Sequence, residues 1–253
     1  MTFQLHEEVL FRVKKADPDR VRAAYFAEEE ARQRLMLLYA FHLELAKVPE
    51  LVSEPMIGQI RYQWWREAIT EIYETDAVRK HEITTPLRRL LLEYDVPRFW
   101  LDQLIDGRER DIDPRPFETL SEAQEYCANT SGVLMKIAVK LFGIDPQESV
   151  VDAGMAWGLT GLARAYPYYH RSMLSALSFE SLCEAADENY QSARNSIHKL
   201  ETEAFPAVAY TSLIGPYLKK MGRKAFDPKT EAVTFTPFAK QTRLLISVLR
   251  GRV

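Results

Sequence analysis

The sequence predicts an all-α protein, and three features of its 253 residues support that fold class. Apolar residues recur at spacings of three and four along most of the chain, whereas the alternation typical of strands is nearly absent. Glycine is scarce, at 10 residues, and most glycines fall where one segment ends. Because no repeat and no linker rich in Gly, Ser or Pro divides the chain, we expect residues 1–253 to form a single domain.

Prolines and capping residues set the predicted helix boundaries. Pro18, Pro55 and Pro86 each follow a Ser, Thr or Asp by one or two positions, a pattern typical of a helix start. Pro167 is expected to break a helix, because proline cannot donate the internal hydrogen bond. The one strand-like run, 233–236, is short. The predicted helices cover about 5–15, 19–27, 28–47, 54–75, 86–94, 97–110, 121–142, 145–165, 179–203, 206–222 and 236–250.

Composition and charge limit the classes of partner. The net charge of −3 comes without the clustered basic footprint that nucleic-acid binding needs. Cys127 and Cys183 lack the spacing of a metal site and are typical of reduced, intracellular cysteines. We see no secretory signal, no transmembrane stretch and no basic amphipathic segment. We therefore expect a cytoplasmic protein without strong binding to lipid surfaces, although weak peripheral contact with an inner membrane stays open.

Several short motifs follow one another in a characteristic order. They are Leu38-Tyr39-Ala40-Phe41, Arg61 with Trp64-Trp65-Arg66, Asp106-Gly107-Arg108-Glu109-Arg110-Asp111, Phe117-Glu118-Thr119-Leu120, Tyr126-Cys127 with Gly132, and Ala156-Trp157-Gly158-Leu159-Thr160 with Leu162 and Arg164. In order and spacing, over about residues 15–250, they resemble the squalene/phytoene synthase family of head-to-head prenyl transferases.

The resemblance implies both a fold and a chemistry. The fold would be the isoprenoid-synthase type, a helical bundle around a central cavity. In that family two allylic diphosphates, such as farnesyl or geranylgeranyl diphosphate, bind in the cavity, and Mg²⁺ neutralises the departing diphosphate. Two clusters of aspartates hold the metal ions from opposite sides of the cavity mouth.

The sequence departs from this pattern at both aspartate clusters. The alignment places Ala46 and Lys47 at the first aspartate positions, which leaves Glu50 as the remaining acid. At the second cluster, Ala165 and Tyr169 replace both acids. Alanine and tyrosine are not Mg²⁺ ligands, and the charge of Lys47 would repel the ion. We therefore interpret the chain as a member that has lost metal-dependent catalysis.

That combination resembles a degenerate branch of the family, which includes a mitochondrial complex I assembly factor with a phytoene-synthase-like domain. The resemblance implies a pseudoenzyme that binds an isoprenoid or lipid, or that assists respiratory-complex assembly through a protein partner. A eukaryotic member would be mitochondrial. No cofactor is expected in this case. The alternative is an active prenyl transferase that depends on Mg²⁺, and a third is a purely structural partner-binding module whose cavity is filled by Trp65 and Tyr168.

Under the active alternative the catalytic candidates are Asp106, Asp111 and Glu50. The opposing interpretation is a solvated helix end in which Asp106 pairs with Arg110. His42 lies near the missing first cluster, where a lone histidine is more typical of ordinary packing than of a metal site.

The candidate ligand-binding residues are arginines and aromatics. Arginine suits phosphate groups, and aromatic rings suit a prenyl chain, but both residue types also serve as salt-bridge partners and ordinary core. Trp64, Trp65, Phe99 and Trp100 could therefore line a prenyl pocket or form part of the core. The substrate-binding candidates are Arg61, Arg66, Arg164, Trp64 and Tyr126.

Overall fold

The structure, a computed structural model, describes residues 5–113, 115–197 and 199–251. Within these ranges helices dominate and no strand forms, which confirms the predicted fold class. The α-helices are α1 (Glu7–Ala16), α2 (Pro18–Ala24), α3 (Glu29–Ala46), α4 (Val48–Leu51), α5 (Pro55–Glu74), α6 (Thr84–Glu93), α7 (Arg98–Glu109), α8 (Leu120–Cys127), α9 (Val133–Lys140), α10 (Glu148–Tyr169), α11 (Phe179–Ile197), α12 (Ile214–Met221) and α13 (Pro237–Arg250).

Two predicted helices are interrupted or begin later in the structure. The segment predicted as one helix over 121–142 is α8 and α9 joined by a π-helical turn, Ala128–Gly132. The helix predicted from residue 206 begins as 3-10 turns, Thr202–Ala207 and Ala209–Leu213, before α12 starts.

The expected break at Pro167 was wrong, because α10 continues through this residue to Tyr169. Pro167 lies within the last turn of the helix. Its ring therefore removes only one internal hydrogen bond, and the backbone N–H of His170 still reaches the Tyr166 carbonyl at 2.9 Å.

The centre of the bundle is the crossing of α10 with the π-helical turn. A Cβ at Gly154 would lie 2.6 Å from both the Cα of Gly132 and the carbonyl oxygen of Ser131. A Cβ at Gly158 would lie 2.8 Å from the Cβ of Cys127, which is buried as expected. Glycine is required at this crossing because the two backbones meet without side chains between them.

Most of the large aromatic side chains belong to the core. Trp65 and Trp100 are buried, as the core interpretation proposes. Phe99 is 58% exposed and Tyr168 is 72% exposed, so Tyr168 does not fill the interior as the third alternative assumed. Among the residues that the structure describes, no helix combines the length and apolarity needed to cross a membrane.

One buried tyrosine joins the helix ends that carry the motif residues. The Tyr62 hydroxyl, on α5, lies 2.9 Å from the Leu45 carbonyl oxygen and 2.8 Å from the Arg108 carbonyl oxygen. This hydroxyl therefore lies within hydrogen-bonding distance of carbonyl oxygens at the C-terminal ends of both α3 and α7. The first aspartate position and the Asp106–Asp111 block therefore lie at the same end of the bundle.

Candidate functional site

The first aspartate position faces a pocket with more cations than acids. Ala46 ends α3, Lys47 follows it, and Pro49 starts the short helix α4 that carries Glu50. The pocket here, of about 610 Å³, is lined by Phe11, Arg12, Lys15, Ala16, Leu43, Ala46, Lys47 and Glu50. The one carboxylate that lines this pocket, Glu50, cannot by itself supply the several oxygen ligands that Mg²⁺ needs.

The neighbouring acid, Glu44, is also engaged by a cation. Its carboxylate accepts a hydrogen bond at 3.4 Å from Arg12, which lies on α1 and also pairs with Glu82. Glu44 and Glu50 therefore do not form a free carboxylate pair.

At the rim of the same end, Arg66 holds two acids from α7. One of its terminal nitrogens lies 2.6 Å from an Asp106 oxygen and 2.7 Å from a Glu109 oxygen. Arg110, the partner expected for Asp106, instead donates to the carbonyl oxygens of Arg115 and Pro116. The sequence-predicted residues Arg66 and Asp106 do come together, but as an ion pair with each other.

Deeper in the bundle, Asp111 is held by an arginine and a tyrosine. Arg108 donates to Asp111 at 3.0 Å and to the Tyr126 hydroxyl at 2.9 Å, and Tyr126 donates to Asp111 at 2.9 Å. The side chains of Arg108 and Asp111 are only 15% and 17% exposed. We call Arg108, Asp111, Tyr126 and His42 the Arg108 cluster.

His42 completes this cluster from α3. The other terminal nitrogen of Arg108 lies 2.9 Å from His42 Nε2. Since arginine can only donate, Nε2 accepts and the imidazole carries its proton on Nδ1. Burial, with the positive charges of Arg108 and Arg20, lowers the pKa of His42 well below its usual value.

The second aspartate position, at the end of α10, has aromatic neighbours, and Ala165 and Tyr169 stand where the family has acids. The guanidinium of Arg164 lies 4.1 Å from the centre of the Tyr217 ring, and its Nε is buried. Tyr166 donates to the Leu177 carbonyl at 3.1 Å, and Tyr169 is 45% exposed. Arg164 therefore packs on an aromatic face where the family has carboxylates.

These residues do not fit a Mg²⁺–diphosphate cluster. Within residues 5–113, 115–197 and 199–251, no three His, Cys, Asp or Glu side chains gather as a metal-binding group. Each acid of the Asp106–Asp111 block is neutralised by an arginine, and a second facing cluster is replaced by tyrosine and alanine. A hard divalent cation needs several free oxygen ligands, which this arrangement does not offer.

The two remaining candidates lie on the outer face of α5. A groove of about 320 Å³ is lined by Glu44, Val48, Leu51, Ile60, Arg61, Trp64, Trp65 and His81. Arg61 is exposed, whereas Trp64 is half-buried and packs edge-on against Trp65 at 4.9 Å between ring centres. The structure thus separates Arg61 and Trp64 from the Arg108 cluster.

The sequence analysis missed Arg20, a buried residue on α2. Its guanidinium lies 2.5 Å from Asp17 and 5.0 Å from the centre of the Tyr210 ring. The hydroxyl of Tyr39 beside it has no hydrogen-bond partner among the described residues, and burial raises the pKa of that hydroxyl. Only Tyr39, as a motif residue, gave any signal of this polar interior.

Comparisons with known proteins assign the fold and the family. A dehydrosqualene synthase structure with bound ligand is 15% identical and superposes with a TM-score of 0.72, covering 96% of this chain and 94% of that one. The squalene synthase from Alicyclobacillus acidocaldarius is 14% identical, with a TM-score of 0.71 and coverage of 87% and 94%. These likenesses confirm the isoprenoid-synthase type of helical fold.

The sequence relationship is more specific. The family model for squalene/phytoene synthase matches residues 13–177. The chain belongs to the squalene/phytoene synthase family, as the motifs indicated.

Within that family the chain is similar to assembly factors as well as to synthases. It is 24% identical to mouse NADH dehydrogenase (ubiquinone) complex I assembly factor 6, over 92% of this chain and 77% of that protein. The human protein is 26% identical, over 85% and 73%. The 15-cis-phytoene synthase of a Paracoccus species is 29% identical, but over only 47% of this chain and 39% of that enzyme.

Proposed function

We propose that this chain is a non-catalytic member of its family that assists the assembly of a respiratory complex of the complex I type. One observation carries the proposal. The aspartates that diphosphate chemistry would use are replaced at both cluster positions, by Ala46 and Lys47 and by Ala165 and Tyr169. The acids of the Asp106–Asp111 block are paired with Arg66 and Arg108. The extended similarity to complex I assembly factors supports the same conclusion.

Arginine pairing explains why the remaining acids stay conformationally fixed without a metal. Arg66 spans Asp106 and Glu109, and Arg108 spans Asp111 and Tyr126. Charge-assisted hydrogen bonds of this kind already satisfy the oxygens that a metal would need. The region is therefore suited to holding a fixed shape for a protein partner. In a eukaryotic cell that role would place the protein in mitochondria.

A genetic rescue tests the assembly role directly. In the organism that makes this chain, deleting the gene should lower the amount of assembled complex I on native gels and its NADH:quinone activity. Reintroducing the unmodified gene should restore both. Unchanged complex I in the deletion strain would overturn the assembly proposal.

Two substitutions separate assembly from catalysis. Asp106→Asn, at an exposed rim position, should restore complex I as well as the unmodified chain does, because no metal depends on that carboxylate. Glu148→Gln, at a side chain that is 83% exposed and loses its ion pair with Lys136, is the matched control. Failure of Asp106→Asn alone, with a normal melting temperature, would favour the Mg²⁺-dependent prenyl transferase.

The groove on α5 supports an isoprenoid or lipid ligand as a second role. Apolar and aromatic side chains line it together with Glu44, Arg61 and His81, and its volume is typical of a small-ligand site. Arg61→Gln should weaken binding of farnesyl diphosphate, measured by calorimetry, and should leave farnesol binding unchanged. Arg89→Gln, at an exposed position of α6, is the control. Equal loss for both ligands, or no binding of either, would contradict this role.

A further inference from the structure

The last part of the chain differs in charge from the rest. Residues 204–253 contain nine Lys and Arg but only two acids, Asp227 and Glu231, although the whole chain has a net charge of −3. Beyond Glu231 no acid occurs at all. The expectation that the chain has no basic amphipathic segment was wrong for α13, which carries Lys240, Arg243 and Arg250 and no acid.

The orientation of α13 is fixed by a buried ion pair on its inner face. The Lys240 ammonium lies 2.8 and 2.9 Å from the two Asp19 oxygens, in a pair whose side chains are 10% and 6% exposed. Leu244 and Ser247, one and two turns further on, are buried on the same side. The helix therefore cannot rotate its outer face into the bundle without breaking this pair.

The outer face of α13 is an apolar stripe. Phe238, Leu245 and Leu249 project from one line of the helix at spacings of seven and four, and they are 81%, 44% and 76% exposed. Ile246, beside them, is 39% exposed. We call these four residues the C-terminal stripe.

Basic side chains border the C-terminal stripe. Arg243 and Arg250 are exposed and, seven residues apart, lie along one edge of it. At the other end, Lys220 donates to the Thr234 carbonyl at 2.9 Å and lies over the Phe235 ring, which places the basic end of α12 beside the start of α13. An exposed apolar line with cations along its margin is the charge pattern of a helix that lies in a lipid interface.

We infer that the C-terminal stripe docks this protein onto an anionic lipid surface. Phe238, Leu245, Ile246 and Leu249 enter the boundary between headgroups and acyl chains, while Arg243, Arg250 and the lysines of α12 contact the negative headgroups. The bordering cations are complementary in charge to anionic headgroups. They would also suit an acidic protein partner, but the stripe between them is apolar along its whole length, which favours lipid. The inference does not depend on the proposed assembly role.

Co-sedimentation of the full chain with vesicles tests this docking. Binding should be strong to phosphatidylcholine mixed with phosphatidylglycerol, weak to phosphatidylcholine alone, and reduced by salt. Leu249→Glu should weaken binding to the anionic vesicles by at least about tenfold, since it removes an apolar contact and adds a like charge. Met56→Glu, at a residue 69% exposed on α5, is the matched control and should bind as the unmodified chain does.

A charge variant gives the second arm of the test. Arg250→Gln should weaken the same binding by about fivefold and should flatten its dependence on salt. Equal binding by the Leu249→Glu and Met56→Glu chains, or equal binding to neutral and anionic vesicles, would overturn the inference. So would a concentration-dependent dimer in sedimentation equilibrium that Leu249→Glu dissociates, since the stripe would then be an interface between two copies.

Discussion

The two former aspartate positions have lost their metal-binding character by different physical routes. Around the ends of α3 and α7, Ala46 and Lys47 stand at the first aspartate position, and Arg66 and Arg108 neutralise the acids of the neighbouring Asp106–Asp111 block. At the end of α10, the acids are gone and Arg164 rests on the Tyr217 ring. The first region is thus held by paired charges and the second by aromatic packing. Substitutions in the two regions should therefore differ in size and in pH dependence.

The largest effect should follow from breaking the Arg108 cluster. Arg108→Met would leave Asp111 mostly buried without its cation, which should lower the free energy of unfolding by about 3 kcal/mol. Chemical denaturation at neutral pH measures this change. The double variant Arg108→Met/Asp111→Leu should recover part of the loss, because it removes the unpaired charge as well. A double variant less stable than Arg108→Met would contradict the pairing argument.

The free energy of unfolding should also depend on pH through the first region, where His42 is buried. Since the pKa of His42 is lowered in the folded state, the unfolded chain takes up a proton near pH 6.5 while the folded chain does not. The stability is complete above that pH and falls as the pH drops through it, by at most about 1.4 kcal/mol per pH unit.

Replacing His42 isolates this contribution. His42→Gln keeps an acceptor for Arg108 but cannot titrate, so its unfolding free energy should change less between pH 7 and pH 5.5. Denaturation curves for both chains at several pH values give the comparison. Identical slopes would show that His42 is not held neutral by Arg108 and Arg20.

A substitution in the second region should lower the free energy of unfolding by less. Arg164→Gln removes the contact with the Tyr217 ring and should cost about 1 kcal/mol, because cation–π contacts of partly buried arginines are of that size. Between pH 7 and pH 5.5 the loss should stay constant, because no acid or histidine among the described residues forms an ion pair with Arg164. A loss that grows as the pH falls would break the contrast between the two regions.

The smallest effect is expected at the rim. Arg66→Met separates Asp106 and Glu109 from their cation, but the Asp106 side chain is 65% exposed and water replaces the arginine. The expected cost is about 0.5 kcal/mol. High salt should abolish the difference between the two chains, and a difference that persists in high salt would place the pair in a drier environment than its exposure indicates.

Local sequence signals predicted the helices more completely than they predicted the site. Proline starts such as Pro18 and Pro55 act within one turn, so they were correct without knowledge of the fold. Pro167 was misjudged because the cost of a proline depends on how close the helix end lies. The π-helical turn before α9 lies at the close crossing of Gly132 and Gly154, a contact between residues that are distant in sequence.

Pairing between distant side chains could not be predicted in the same way. The sequence drew attention to Asp106, Asp111 and Arg66, but it did not show that Arg66 reaches across from α5 to α7. Arg108 was named only as part of a motif, without a predicted role. Its role depends on His42, 66 residues earlier. Arg20 carried no local signal, because its burial results from how α2 packs against the chain around Tyr210.

The most direct test of the central claim is incubation of the purified chain with farnesyl or geranylgeranyl diphosphate and Mg²⁺, with released diphosphate and extractable products measured over time. Because both aspartate clusters are replaced and the acids of the Asp106–Asp111 block are paired with arginines, we expect no Mg²⁺-dependent release above the rate without protein. Sustained release that Asp111→Asn abolishes, in a variant that still folds, would contradict the account and assign this chain to the active prenyl transferases.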